Sequence, residues 1–317
     1  MTRRAWAAFA LASIVWGVPY LFIEIAVRHG VTPPALAWGR VTLGALVLLA
    51  LAWRAGTLPS LRGRWRWLFA YAVAEISIPF PMLAFGEQRV PSSLAAIMVA
   101  TVPLIGAVLA MRFDPSERPT PVRAVGLLLG FCGVIALVGL DVAGHKGELL
   151  GVGAIMLTAT GYAIGPMIVK HRMAGLDPRA SQGAALAIAA LLLLPAALLD
   201  APHHMPTAGA IGSVVALGVL CTAGGFVVYA ILIGEAGSSR ATVITYVNPV
   251  VAVALGVALL GERPGAGAVA GLLLILAGGW LSTDGRLPPG VAGFAARRRP
   301  VGHKAALDSP QESRAGL

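Results

Sequence analysis

The sequence predicts an all-α integral membrane protein: ten transmembrane helices arranged as two inverted five-helix repeats, with both chain ends in the cytoplasm. Three observations predict it. The chain of 317 residues is 57% hydrophobic and only 12% charged, with a mean hydropathy of +0.82, whereas a soluble domain carries about 25% charge. Apolar stretches of bilayer length recur between short polar breaks. The two halves of the chain also repeat each other's Gly, Pro and charged positions. A soluble fold of this length would need far more polar sequence to cover its cores.

The spans fall at 5–27, 34–53, 65–88, 91–111, 121–140, 148–170, 180–199, 209–234, 239–260 and 265–282. Each is long enough, as a helix, to cross about 30 Å of hydrocarbon. The runs are continuous and lack a barrel's alternation, so helices must satisfy the backbone. Span 1 follows Arg3 and Arg4 like a secretory leader, but its length and the spans behind it mark it as a first crossing. It carries Ser13, Gly17, Tyr20 and Glu24 on one face, bordered by Trp16 and broken at Pro19. Span 2 holds Arg40, the one base inside a span. Span 3 holds Glu75 near its middle and Pro79; span 4 holds Thr101 and Pro103. Span 5 presents Gly126, Gly130 and Gly133 on one face. Span 6 carries Thr158, Tyr162, Gly165 and Pro166. Span 7 is nearly featureless, and span 8 holds Gly224, Gly225 and Tyr229. Span 9 reads Thr242, Thr245, Tyr246, Asn248 and Pro249, and span 10 holds Gly271 and Gly278. Spans 2, 5, 7 and 10 are the poorest in mid-span polar residues and are read as the outer wall. The glycine faces of spans 5 and 10 allow close helix approach, within the fold or between subunits of a homodimer.

Charge sets the orientation. With the N-terminus inside, 19 of the 24 Lys and Arg fall in cytoplasmic segments and four in outer loops, as the positive-inside rule requires. The net charge of +10 is therefore topological, and nucleic acid is excluded as a partner. Cys132 and Cys221 lie inside apolar runs and read as small fillers. His203 and His204 share a loop and read as solvated residues rather than metal ligands.

The repeat has an offset of about 145 residues. Gly30 and Pro33 meet Gly175 and Pro178; Glu117, Arg118 and Pro119 meet Glu262, Arg263 and Pro264. One further residue of offset aligns Ser92, Ser93 and Pro103 with Ser238, Ser239 and Pro249. Domains are expected at 5–140 and 148–282, followed by a disordered basic tail at 283–317. Five spans per unit is an odd number, so the second unit enters from the opposite side. That symmetry suits a machine with two similar states, one open to each side. The breakers Gly17, Pro19, Pro103, Gly165, Pro166, Gly224 and Pro249 are expected to act as hinges around a central cavity. Their commonness in membrane helices is the plainer account of any single one.

Residues 237–280, GSSRATVITYVNPVVAVALGVALLGERPGAGAVAGLLLILAGGW, together with SSLAAIMVATVPLIGAVLA and GLLLGFCGVIALV in the first half, resemble an EamA-type transporter of the drug/metabolite transporter superfamily. The first half departs from the family's Leu-Gly-Glu-Arg turn, reading RFDPSERP. The resemblance implies two EamA repeats and secondary transport of small metabolites, often export, without ATP. No Walker-type motif is present, in agreement, and no cofactor or metal is expected.

Candidate substrate-binding residues are Trp16, Tyr20, Glu24, Glu75, Pro79, Thr101, Tyr162, Tyr229, Tyr246 and Asn248. Aromatic rings with a polar tip suit a cavity for amphipathic solutes and can hold cations; ordinary interhelix hydrogen bonding is the alternative for each. A charge within a span costs at least ~2.5 kcal/mol, so Glu75 either binds a substrate cation or proton, or forms a structural pair with Arg40. Glu24 competes for the same arginine. Proton coupling rests on these two acids. A channel and an intramembrane enzyme remain the rival classes, although no HExxH or GxSxG motif with partners occurs. The expected location is a bacterial inner membrane, as a multi-pass protein surrounded by lipid and acting on a small-molecule substrate.

Overall fold

A computed structural model describes residues 2–113, 120–137, 146–236, 241 and 243–283. The basic tail beyond Thr283, the turn residues Glu117, Arg118 and Pro119, and Ser238, Ser239 and Thr242 lie outside the described residues. Among those described there is helix and turn but no strand.

Seven helices are long and apolar enough to cross a membrane: α1 (Arg3–Arg28), α2 (Pro33–Arg54), α3 (Trp65–Glu87), α4 (Ser92–Arg112), α6 (Gly147–Arg172), α7 (Pro178–Leu199) and α8 (Ala208–Ala236). Three shorter apolar helices complete the described set: α5 (Pro121–Leu137), α9 (Ile244–Leu260) and α10 (Ala266–Leu281). Local chemistry sets several of their starts. Thr2 and Thr207 accept hydrogen bonds from the first-turn amides of Ala5 and Ala210, and Asp177 does the same for Arg179. Pro33 and Pro178 open α2 and α7 in the first turn, where a missing amide costs nothing.

The packing repeats itself when the halves are exchanged. Helix α2 lies along α7, α4 along α9, and α5 along α10, each helix against its own sequence mate. Helix α1 packs on α8 and α9, while its mate α6 packs on α3 and α4. The turns carry the same echo. Gly30 and Gly175 close α1 and α6 with φ of +89° and +82°, a left-handed conformation that glycine adopts without strain.

The glycine faces of α5 and α10 are used within the fold. A Cβ on Gly278 would sit 2.4 Å from the Gly130 nitrogen and 2.5 Å from the Gly126 oxygen, and one on Gly133 would sit 2.9 Å from the Gly271 oxygen. Large apolar side chains such as Leu46, Leu128, Phe131, Leu191 and Leu273 point outward from α2, α5, α7 and α10. An exposed apolar surface of this extent belongs against lipid. The outer-wall reading needs one amendment, because α2 also delivers Arg40 inward, 7% exposed.

The breaks are unequal in the two halves. Helix α1 is interrupted at Val18, between Gly17 and Pro19. Helix α4 is interrupted at Ala100 and Thr101, just before Pro103. Their mates run through: Pro166 lies inside an unbroken α6, and Pro249 inside an unbroken α9. In α3 and α8 the distortion is a wide π turn, at Ala72–Ser77 and Ala216–Gly224, and the offset of 145 brings these two segments together in the alignment. In each a hydroxyl reaches back five residues: Ser77 donates to the Ala72 oxygen at 3.0 Å, and Thr222 to the Leu217 oxygen at 2.8 Å.

Candidate functional site: a cavity between the two halves

A cavity of about 240 Å³ lies where α1, α2, α3, α4, α6, α8 and α9 converge. Both π turns reach its wall, through Glu75 on α3 and through Cys221 and Thr222 on α8. A π turn adds a residue to the helical circuit and rotates the side chains beyond it, and such turns gather at functional sites.

One wall is aromatic. The indole of Trp16 donates from Nε1 to the Cys221 carbonyl at 3.2 Å. It packs edge-on to Phe226, with centroids 5.9 Å apart, and tilts against Tyr229 at 4.8 Å. Across the cavity Phe80 meets Tyr162 edge-on at 6.3 Å, an arrangement that ring quadrupoles favour. Asn248 ties α9 to α1: its side-chain amide stands 2.9 Å from the Ile244 carbonyl and 3.2 Å from the Ser13 carbonyl, so the nitrogen is the end that faces them.

The charged residues of the cavity do not pair with each other. The Arg40 Nε donates to the Thr222 hydroxyl at 2.8 Å, and its guanidinium carbon lies 4.0 Å above the Phe80 ring. Glu75 leans on α6 instead, so that a Cβ on Gly165 would collide with its carboxylate. Its Oε2 has no hydrogen-bond partner among the described residues. The expected Arg40–Glu75 ion pair is therefore absent. The guanidinium turns toward the π turn of α8, while Glu75 projects toward the glycine of α6. Glu24 does not take the arginine either; it pairs with Arg28, one turn along α1.

Of the other residues singled out from sequence, Pro19 lines the cavity together with Trp16, Tyr20, Tyr162 and Asn248. Glu24 lines a second pocket, at the end of the bundle where α1 finishes. Pro79 is buried beside the α3 break, and its carbonyl accepts from the Thr158 hydroxyl of α6 at 3.0 Å. Thr101 is buried and donates to its own helix at the Met98 oxygen. Tyr229 stands behind Trp16, and Tyr246 tilts against Trp280 with centroids 5.8 Å apart. Gly17 and Gly224 flank the site rather than line it. A Cβ on Gly17 would meet Val251 at 2.6 Å, so this glycine serves the contact of α1 with α9. Sequence reasoning missed Phe80, Thr222 and Phe226 on the wall, and Glu87 in the second pocket. Thr222 carried a usable signal, since it aligns with Ser77 at the repeat offset. Phe80 and Phe226 carried none, being apolar letters in apolar runs.

Apolar helices with a lipid-suited exterior and an internal cavity lined by aromatic side chains and a few polar ones define a polytopic membrane protein built to handle a solute. The chain belongs to the EamA-like transporter family, whose model matches twice, at residues 4–139 and 149–283. It is 31% identical over 264 residues to YedA, an uncharacterized inner membrane transporter of Escherichia coli K12, covering 81% of this chain and 82% of that one. It is 27% identical over 286 residues to an uncharacterized transporter of Archaeoglobus fulgidus, covering 87% and 97%. A probable terminal-alkyne amino-acid exporter of Streptantibioticus cattleyicolor is 28% identical over 294 residues, covering 87% and 94%. A crystal structure aligns with a TM-score of 0.65 at 22% identity, over 93% of this chain and 99% of that one, and is a likeness of fold alone. The protein is a multi-pass transporter of the inner membrane.

Proposed function

We propose that the protein is a secondary transporter that exports small zwitterionic solutes of the amino-acid type by alternating access around the central cavity. One observation carries this reading: Arg40 and Glu75 both line the cavity, and neither pairs with the other. A buried charge without an opposite charge beside it is costly. A solute bearing a carboxylate and an ammonium group would satisfy both, with Arg40 matching the carboxylate geometry. Trp16, Tyr20 and Tyr162 would hold its apolar part. The name of the Streptantibioticus relative, an amino-acid exporter, agrees with this substrate class.

The mechanism rests on ten crossings, with both ends in the cytoplasm and units 5–140 and 148–282 inverted with respect to each other. The exchange symmetry of the packing and the paired π turns support it. Gly17, Pro19, Pro103, Gly165, Pro166, Gly224 and Pro249 would provide the flexing points.

The test is counterflow of radiolabelled amino acids in liposomes containing the purified protein. Saturable exchange, lost in Arg40→Met and in Glu75→Gln with the protein still folded, is the expected result. Flux that does not saturate would make the protein a channel and overturn the proposal.

A further inference from the structure

The second pocket lies at the end of the bundle where α1 and α3 finish, and has a volume of about 480 Å³. Glu24, Arg28, Glu87 and Arg89 contribute charge to it. Glu87 is only 2% exposed, yet neither of its carboxylate oxygens has a hydrogen-bond partner among the described residues. The two bases that line the pocket with it are engaged elsewhere. Arg28 is held by Oε1 of Glu24, and Arg89 donates to the Phe85 carbonyl while its guanidinium lies 3.5 Å over the Phe85 ring. The other oxygen of Glu24 is also buried and unpartnered.

A carboxylate stripped of water and given no donor is among the costliest groups to bury, whereas a carboxyl that holds a proton is not. The pocket gives that proton a route to solvent. We propose that Glu87 is a proton-binding site of this transporter, separate from the central cavity and opening through the second pocket.

Glu24, Arg28 and Arg89 line the pocket with Glu87, and Glu262, Arg40, Tyr20 and Tyr162 act on it electrostatically. Glu24, Arg28 and Tyr20 stand on α1, Arg40 on α2, and Tyr162 on α6. Glu262 follows α9, and Arg89 lies just beyond α3. Three of these, Tyr20, Arg40 and Tyr162, also line the central cavity. The site is thus placed so that a proton on Glu87 and a charge in the cavity act on the same residues. That is the physical requirement for coupling one to the other. The inference builds on the transport reading, but binding of the proton does not depend on it.

The experiment is an infrared titration of the full-length protein in liposomes, following the C=O stretch of protonated carboxyl groups from acid to alkaline buffer. No transported solute is added. The proton is the probe. Wild type should show a titrating buried-carboxyl band. Glu87→Gln, which has the shape of the neutral acid, should remove one component of the band, read as the wild-type minus variant difference; Glu87→Asp should restore a displaced component; Glu24→Gln should keep that component and displace its midpoint; Glu75→Gln should leave it in place. A band unchanged in Glu87→Gln overturns the proposal, and one lost entirely in Glu75→Gln moves the proton to the central cavity. Should amino-acid counterflow fail while this titration succeeds, the solute assignment falls and the proton site stands.

Discussion

Glu262 makes the sharpest mechanical claim about how the two halves hold together. Helix α9 ends at Gly261, with φ of +67°, and the Glu262 amide returns to the Gly256 carbonyl at 3.1 Å. This closing turn points the carboxylate at the first turn of α4, in the other half. There Oε1 accepts from the Ser92 amide at 2.9 Å and from its hydroxyl at 2.8 Å, and Oε2 accepts from the Ser93 amide at 3.0 Å. Ser92 is fully buried and Ser93 is 3% exposed. Glu262→Ala removes three charge-assisted bonds, leaves two buried amides unsatisfied, and strips a helix N-terminus of its counter-charge. Each bond to a charged group is worth about 1.5–3 kcal/mol, but losses within one cluster do not add, so the expected cost is about 3–5 kcal/mol. At about 1.4 kcal/mol per decade, this predicts amide exchange at Ser92 and Ser93 faster by roughly 10²–10⁴-fold. Hydrogen–deuterium exchange of the peptide spanning Ser92–Val99, read in detergent or nanodiscs, measures it. Gly256→Ala should reproduce the effect, because its Cβ would sit 2.4 Å from the Glu262 Oε2. If exchange in this turn changes by less than about tenfold in either variant, the cross-half cap contributes little and the reasoning fails.

Further predictions concern packing and the site. Gly278→Ala should split α5 from α10 and lower the thermal unfolding temperature markedly, because its Cβ meets only backbone, at 2.4–2.7 Å. Gly165→Ala should fold normally, since the atom in its way is the movable end of Glu75; it should instead weaken saturable amino-acid exchange by displacing that carboxylate. Trp16→Phe keeps an aromatic ring but loses the bond to the Cys221 carbonyl and part of the packing on Phe226 and Tyr229, and should cost at least about 1 kcal/mol in unfolding with a raised half-saturation concentration. Asp177 lies outside the spans, and its hydrogen bond from the Arg179 side chain holds its carboxyl below the ordinary range. Its support of α7 should be present above the unfolded carboxylate pKa and fade as pH falls through the lowered folded value; exchange at Arg179 and Ala180 should quicken there, and Asp177→Asn should remove that pH dependence.

Much of the architecture was legible in the chain itself. Span length and polarity are sums over neighbouring residues, so apolar helices of bilayer length follow from composition alone. The repeat was equally readable, because Gly, Pro and acidic positions such as Gly30 with Gly175 and Glu117 with Glu262 recur at an offset of 145 or 146 residues. The resemblance at residues 237–280 led to the right family. Trp16, Tyr20, Tyr162 and Asn248 could be singled out because polar or aromatic letters are rare in these runs, and all four line the cavity. Only the tertiary structure decided the pairings. Arg40 and Glu75 were natural partners as the one base inside a span and the acid nearest mid-span, yet one meets Thr222 on the π turn of α8 and the other Gly165 of α6. Pro249 was expected to break its helix and does not, because a proline's effect depends on which neighbours take up the freed groups. Glu87 stands at the end of α3, where the fold closes around it and leaves its carboxylate without a hydrogen-bond partner among the described residues. Periodicity and composition are local properties of a chain, whereas the partner of a buried charge is set by helices far apart in sequence, and no local pattern records where they meet.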